Sequence, residues 1–507
     1  MYTLKLGWAS RNVSTDKPVN IPGQFPMRIS TGVADPLFIT ALVIENGADI
    51  VIFVSADLVG IRSGLLDEVR KKIKAQTNEI PPEKVIINAT HTHTGASYYG
   101  RSGWEIGDEY EKGYEPMPDS GVEIASSDEY GDFLSSQIAD AVCEAYEKRS
   151  EGGVAYGYGY AVVGHSRRVI YFDDTSKREG AAANGYMING HGVMYGNTND
   201  AQFSHYEAGT DHFMNVLFTF NKTNELTGAV INIPCPSQCS EADHKLSADY
   251  WDDVRKALRE KFGDIYILGQ CAPSGDLSPR ILHYKQAQER RFKLKYGEGT
   301  KDRNERKDIA ERVAAGFAEI YGWAKNEIMT ELPINHVVET VYLTRRLISD
   351  DELQFCKDML EQLKDPHFIT DKEDPVRMLT HNSSIEALRN RYIGILRRYD
   401  LQKTEPKMPM EMHVLNIGGA AFTTNMFELY MDYMHRIQAR SPFTQTFVTQ
   451  LVGVPGGGGS YLATDRGAEN KGYSACMFCN VISPAGGQEM VEECVRILNE
   501  IYNKGRN

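Results

Sequence analysis

What this 507-residue sequence lacks narrows it first. No stretch of about eighteen consecutive apolar residues occurs, so nothing is built to cross a bilayer as a helix. Cations are not in surplus: 55 Lys and Arg stand against 69 Asp and Glu, a formal net charge of −14. Nucleic acids and anionic membranes select clustered Lys and Arg, so neither is an expected partner. Met1 to Ser10 holds no long hydrophobic leader, which points to a cytoplasmic protein or to a chain whose leader has been removed. The eight cysteines (Cys143, Cys235, Cys239, Cys271, Cys356, Cys476, Cys479 and Cys494) are scattered, not arrayed as a disulfide framework, so reduced thiols are expected. Cys476-Met477-Phe478-Cys479 is one Cys-x-x-Cys without the second that a four-thiolate zinc site needs. Pro455-Gly456-Gly457-Gly458-Gly459-Ser460-Tyr461 lacks the Lys-Ser/Thr of a phosphate loop. It leaves Tyr461 on a permissive hinge.

Among what is there, the chain is organised around Val85 to Gly95. Val85-Ile86-Ile87 is a β-branched run that reads as a buried strand. Asn88-Ala89-Thr90-His91-Thr92-His93-Thr94-Gly95 follows. On an extended backbone residues two apart share a face, so the two imidazoles should leave the strand end side by side. Such a pair presents two metal ligands, or one ligand and one acid/base. Two polar histidines bonded to nearby carbonyls are the bland alternative.

Around that stretch the pattern is α/β. Leu37 to Glu45 and Ala48 to Ser55 are apolar runs joined by Asn46-Gly47, a hairpin signal. The second ends at Asp57, and Ser63 to Gln76 reads as an amphipathic helix leading to the His-x-His strand. Strand, helix, strand suggests layered mixed sheets covered by helices. A polar segment at about 96–128 carries Tyr98, Tyr99, Trp104, Tyr110 and Tyr114 among Glu105, Asp108, Glu109, Glu111 and Glu115. It reads as a lid suited to a polar ligand, or as a solvated excursion. Phe172 to Glu207 reads as loop. Asp128 to Arg149 and Ser247 to Phe262 read as helices. Phe213 to Phe220 and Leu226 to Ile233 read as strands, the second running into Pro234-Cys235-Pro236. Asp264 to Gly269 is a strand ending at Cys271-Ala272-Pro273-Ser274-Gly275-Asp276-Leu277-Ser278-Pro279, a tight turn that presents Asp276 and Ser278. The segment about 284–401 reads as a helical insert, the whole of 1–507 as one large domain.

Several of these pieces together resemble the neutral/alkaline ceramidases. Thr90-His91-Thr92-His93-Thr94-Gly95 resembles their Thr-His-Thr-His-Ser-Gly motif, and Gly275-Asp276-Leu277-Ser278-Pro279 their Gly-Asp-Val-Ser-Pro motif, in the same order. The resemblance runs to about Tyr473, without their C-terminal immunoglobulin-like domain. It implies one Zn2+ held by two histidines, a glutamate and a tyrosine. His91, Glu428 and Tyr461 match three of these, and Cys235 stands where the second histidine belongs. It further implies His93 at the reacting group, Ser278 as the catalytic serine, Arg167 as the oxygen-binding arginine with Ser166 before it, and Tyr473 as a second active-site tyrosine. Thiolate is a good zinc ligand, so the altered set is chemically sensible.

The implied reaction is hydrolysis, most simply of an amide. The polar insert and the absent leader and accessory domain point away from ceramide, toward a small polar substrate such as a carbohydrate or amino-sugar conjugate. Two alternatives stay open. One is a glycoside hydrolase using Asp57 or Asp276 with Glu428 or a glutamate of the 96–128 insert; the other is a metal-free ligand-binding descendant. Homo-oligomerisation through the segment after Tyr284 is likewise open.

Overall fold

The computed structural model describes residues 3–62, 64–99, 113–181 and 188–504. Eight strands make the larger sheet: β1 Lys5–Asn12, β2 Phe38–Glu45, β3 Ile50–Ala56, β4 Val85–Ala89, β5 Ser150–Tyr160, β6 Phe213–Asn221, β7 Leu226–Ile233 and β8 Tyr266–Cys271. Their spatial order is β8-β7-β6-β5-β1-β2-β3-β4. Only β3/β4 and β7/β8 are parallel. Each of those pairs is bridged by a helix, as parallel neighbours require. The β2–β3 hairpin turns at Asn46-Gly47 as expected: Gly47 has φ +80°, and the Asn46 side chain accepts from the Ala48 and Asp49 amides.

Strands buried on both faces need apolar residues at every position, and the period of two sorts them. On β3, Ile52, Val54 and Ala56 face one core, while Val51 and Phe53 face another. The first core is closed by helices α1 Leu65–Gln76 and α2 Ser127–Glu147. The other half of the sheet is covered by α3 Tyr250–Phe262 and, beyond α4 Lys285–Tyr296, by α5 Lys301–Ala324.

The second core lies between this sheet and a smaller one, β9 Ile334–Thr344, β10 Lys407–Ile417, β11 Ala420–Thr424 and β12 Gln445–Thr449. Phe53 meets Phe422 at 5.1 Å between ring centroids, and Phe422 stacks on Phe447 at 4.3 Å. The segment 284–401 is therefore not a purely helical insert, because β9 runs through it and pairs along its length with β10. The helices after β9 are α6 Asp350–Gln362 and α7 Pro375–Leu401, which pack on each other around Cys356, Leu360 and Tyr392. Helices α8 Met431–Arg440 and α9 Pro484–Lys504 cover the outer face of the smaller sheet. Phe172 to Glu207 is not all loop either: Gly192–Met194 and Phe203–Tyr206 flank Arg168–Tyr171 in a small antiparallel sheet. Of the 96–128 segment, Trp104, Glu105, Asp108, Glu109, Tyr110 and Glu111 lie outside the described residues. All eight cysteines are free thiols, and no described helix is long and apolar enough to cross a membrane.

Candidate active site

The motif Thr90 to Gly95 begins where β4 ends. Its threonines anchor it: Thr90 Oγ1 donates to Asp57 at 3.2 Å, and Thr92 and Thr94 hydroxyls both reach the Ser247 carbonyl, at 2.8 and 3.0 Å. Gly95 passes so close to Asp57 that a Cβ there would lie 2.9 Å from its carbonyl oxygen. The histidines are side by side, but not for the expected reason. The strand has ended, and His91 has φ +62°, in the left-handed region. Their rings meet edge to face, 4.9 Å apart. A non-glycine residue held there stores strain on the order of 1 kcal/mol, which such anchoring sustains.

His91 Nδ1 lies 2.5 Å from the Val59 carbonyl. A carbonyl can only accept, so Nδ1 carries the proton and Nε2 is turned inward. There it faces Glu428 Oε2 at 3.3 Å and His93 Nε2 at 3.4 Å. Glu428 comes from the two-residue strand Glu428–Leu429, paired in parallel with Tyr461–Leu462. That pairing puts Tyr461 beside Glu428, with its hydroxyl bonded to the carboxylate. Burial alone would raise the Glu428 carboxyl, but His91 and then Arg167 outweigh it and hold it at about 2. Burial, and then the Glu428 charge, push the Tyr461 phenol well above its usual range.

Arg167 is fully buried and rigidly held. Nη1 donates to Gln238 Oε1 at 3.1 Å; Nη2 donates to the Gly275 carbonyl at 2.9 Å and to Tyr461 Oη at 3.3 Å. Because Arg167 claims the oxygen of the Gln238 amide, its nitrogen faces His93 Nε2, at 2.8 Å. His93 therefore accepts at Nε2. Burial, then the neighbouring His91 ring, then Arg28 and Arg167, hold it well below the usual histidine value, so the ring is neutral.

The other expected site residues are placed as follows. Tyr473 stands edge-on to Tyr461, 5.6 Å between centroids. Ser278 is buried with its hydroxyl accepting from the Arg280 amide at 3.1 Å, and no base lies within hydrogen-bond reach among the described residues. Asp276 accepts from the Met431 amide at the start of α8, and burial raises its carboxyl to about 6. Asp57 is clamped by Arg255 at 2.7 and 2.9 Å. Cys235 does not join the cluster. Its thiol contacts the Pro236 carbonyl at 3.5 Å inside the core of β7 and α3, and burial holds it well above its usual range. Of the four implied zinc ligands, His91, Glu428 and Tyr461 lie side by side, while the Cys235 thiol contacts the Pro236 carbonyl; no cluster of three or more His, Cys, Asp or Glu suited to a metal forms among the described residues.

Gln238, Arg28, Glu241 and Arg62 escaped the sequence reading. Gln238 lies three residues past Cys235 in the same Pro-Cys-Pro-Ser-Gln turn, and it is the residue this turn delivers. Glu241 faces His93 Nδ1 at 3.6 Å and pairs with Arg280 at 2.6 Å. Arg28 donates to the His93 carbonyl at 2.6 Å. The Arg62 guanidinium lies 5.8 Å from the Tyr99 ring and makes no side-chain hydrogen bond or ion pair among the described residues.

No known family model and no curated protein sequence matches the chain. Among solved structures, neutral ceramidase from Pseudomonas aeruginosa superposes with a TM-score of 0.65 at 16% identity, covering 99% of this chain and 75% of that one. A ceramidase complexed with C2 superposes with a TM-score of 0.64 at 15% identity, covering 99% and 76%. The layered α/β architecture described above is thus the neutral ceramidase fold, as the two motifs implied.

Proposed function

We propose that this chain is a hydrolase that cleaves an amide bond in a soluble, polar substrate, not in ceramide. The observation that carries the reading is the convergence of His91, Glu428, Tyr461 and Arg167 on one point, with a neutral His93 ring beside them, on a fold shared with ceramidases. A neutral imidazole can take a proton from an attacking oxygen and return it to the departing amine at Nε2, once Gln238 yields that position. Arg167, fixed by three partners, is pre-aimed to bind the oxyanion of a tetrahedral intermediate, with the Tyr473 hydroxyl as a second donor. Ser278, lacking a base, positions substrate or water. Asp276 holds the start of α8 and so the strand bearing Glu428.

His91, Glu428 and Tyr461 are the residues that would hold a zinc ion, which when bound would polarise the substrate carbonyl. Cys235 is outside that set. The polar substrate is supported by Arg62, Arg28, Arg280 and Glu241 around the histidines: charged groups on this wall favour hydroxylated or charged ligands, carbohydrate conjugates included, over a lipid tail. The glycosidic alternative needs two carboxylates across a cleft. Asp57 is held by Arg255 and Asp276 by the Met431 amide, so neither faces Glu428 as the second carboxylate.

The test is amine release from N-acetylated amino sugars, N-acyl amino acids and a short-chain ceramide, with wild type and His93→Ala. Release from a polar member, exceeding that from ceramide and lost in His93→Ala, is expected. No release from any amide would sink the reading, and reducing-sugar release from glycosides would replace it.

A further inference from the structure

The Cys-x-x-Cys segment lies next to this site without belonging to it. Ser474, at φ +75°, starts a tight turn in which the Cys479 amide donates to the Cys476 carbonyl at 3.0 Å. The turn brings the two sulfurs to 3.8 Å. Two arginines of α7 grip it: Arg398 donates to the Met477 and Asn480 carbonyls at 2.5 and 2.6 Å, and Arg391 Nη2 lies 3.7 Å from Cys479 Sγ. Arg391 itself is seated over the Phe25 and Phe478 rings, at 4.8 and 5.1 Å.

We propose that Cys476 and Cys479 are a redox-active dithiol, oxidised by a small peroxide to a disulfide, with Cys476 as the attacking sulfur. The geometry needs little change, because the sulfurs close from 3.8 Å to about 2.05 Å within a turn already formed. The cysteines are 4% and 5% exposed, so a molecule the size of hydrogen peroxide suits them better than a bulky disulfide.

The other six thiols are held toward their neutral form. Burial raises Cys143 and Cys271 to about 11 and Cys356 and Cys494 to about 12, and raises Cys235 and Cys239 well beyond their usual range. Cys476 moves the other way, because the Cys479 thiol hydrogen-bonds it and, against the effect of burial, Arg391 favours its thiolate. Thiolate character is what makes a cysteine reactive.

The chemistry balances. The Cys476 thiolate attacks one peroxide oxygen, the O–O bond breaks, and hydroxide leaves as water after protonation, giving a sulfenic acid. The Cys479 sulfur then attacks Cys476 Sγ, the S–O bond breaks, and that hydroxide leaves as a second water with the Cys479 proton. The dithiol loses two electrons, and the peroxide gains them. The change reaches the site through Asn480, which pairs with Tyr461 and accepts from the Ala463 amide at 2.8 Å.

The experiment uses the reduced full chain, treated with graded hydrogen peroxide, then denatured, blocked with N-ethylmaleimide and mapped by non-reducing mass spectrometry. A Cys476–Cys479 linked peptide lacking two hydrogens, reversed by dithiothreitol, with the other six cysteines alkylated, is expected. In Cys479→Ser, dimedone should trap the Cys476 sulfenic acid. Both thiols staying alkylatable at excess peroxide, or oxidation spread over all eight cysteines, would overturn the proposal. This readout needs no substrate, so it stands apart from the hydrolase reading.

Discussion

Two histidine pairs are buried in this molecule, each beside a glutamate and an arginine, and they do different work. His336 and His413 sit on β9 and β10, inside an antiparallel ladder. His336 Nδ1 donates to the Ile50 carbonyl at 3.0 Å, and the rings share a hydrogen bond of 2.9 Å. His413 Nε2 faces Glu411 at 3.3 Å, and Arg70 grips that glutamate at 2.7 Å. This chain of contacts runs from the Ile50 carbonyl through both rings toward Glu411, tying the two sheets together. His91 and His93 instead occupy a strained loop, and their inner nitrogens face Glu428 and one another. The same residue types thus make a fastening where the backbone is regular, and a convergent cluster, which we read as the reactive centre, where an irregular backbone turns the nitrogens to one point.

The sharpest way to break this comparison is to exchange the losses. His93→Ala should lower kcat/KM on the amide found by the substrate panel by about 10²–10⁴-fold, the usual worth of a positioned acid/base, and His93→Gln, which keeps a polar partner for Gln238, should do the same with little change in melting temperature. His336→Ala should do the reverse. It leaves a cavity and an unsatisfied partner in the core, so urea unfolding should show a loss of about 2–4 kcal/mol with kcat/KM within a few-fold of wild type. If both variants lose both properties, the two pairs are not separable.

pH sharpens it further. Burial, then the neighbouring ring, hold His336 well below 6.5, so the folded state binds fewer protons there than the unfolded chain. Its contribution is fully present above 6.5 and is lost as pH falls from there toward the folded value. Denaturation followed from pH 7.5 downward should show that loss in wild type and a flatter profile in His336→Leu. The smallest effect belongs to Cys235. Cys235→Ala should cost about 1 kcal/mol of stability as a small core truncation and leave bound zinc, measured by mass spectrometry of the metal, at the wild-type level. Glu428→Gln should lower zinc content; loss of zinc in Cys235→Ala instead would restore the thiolate to the ligand set.

Much of this was readable in advance. The hairpin at Asn46-Gly47, the strand before His91, and the strands and helix around Cys235 follow from apolar period and turn residues, which act over a few positions. The β9 strand was hidden between strongly helical segments, and its partner β10 lies more than sixty residues away. The motif comparison reaches Cys235 by position along the chain and carries no signal for Gln238. Which member of a proline-bounded turn reaches the site is decided by how that turn packs on α3.

By itself, then, the sequence determined the layered α/β class and the two motifs, because alternation of side chains along a strand is a local property of extended backbone. Only the tertiary structure decided which donors meet. His91, Arg167, Gln238, Glu428 and Tyr461 come from five separate segments, and their distances are set by the packing of two sheets and by threonine bonds to Ser247, far along the chain from the motif they hold. No local preference encodes such separations, and the left-handed turn at His91 exists only because those distant contacts hold it there.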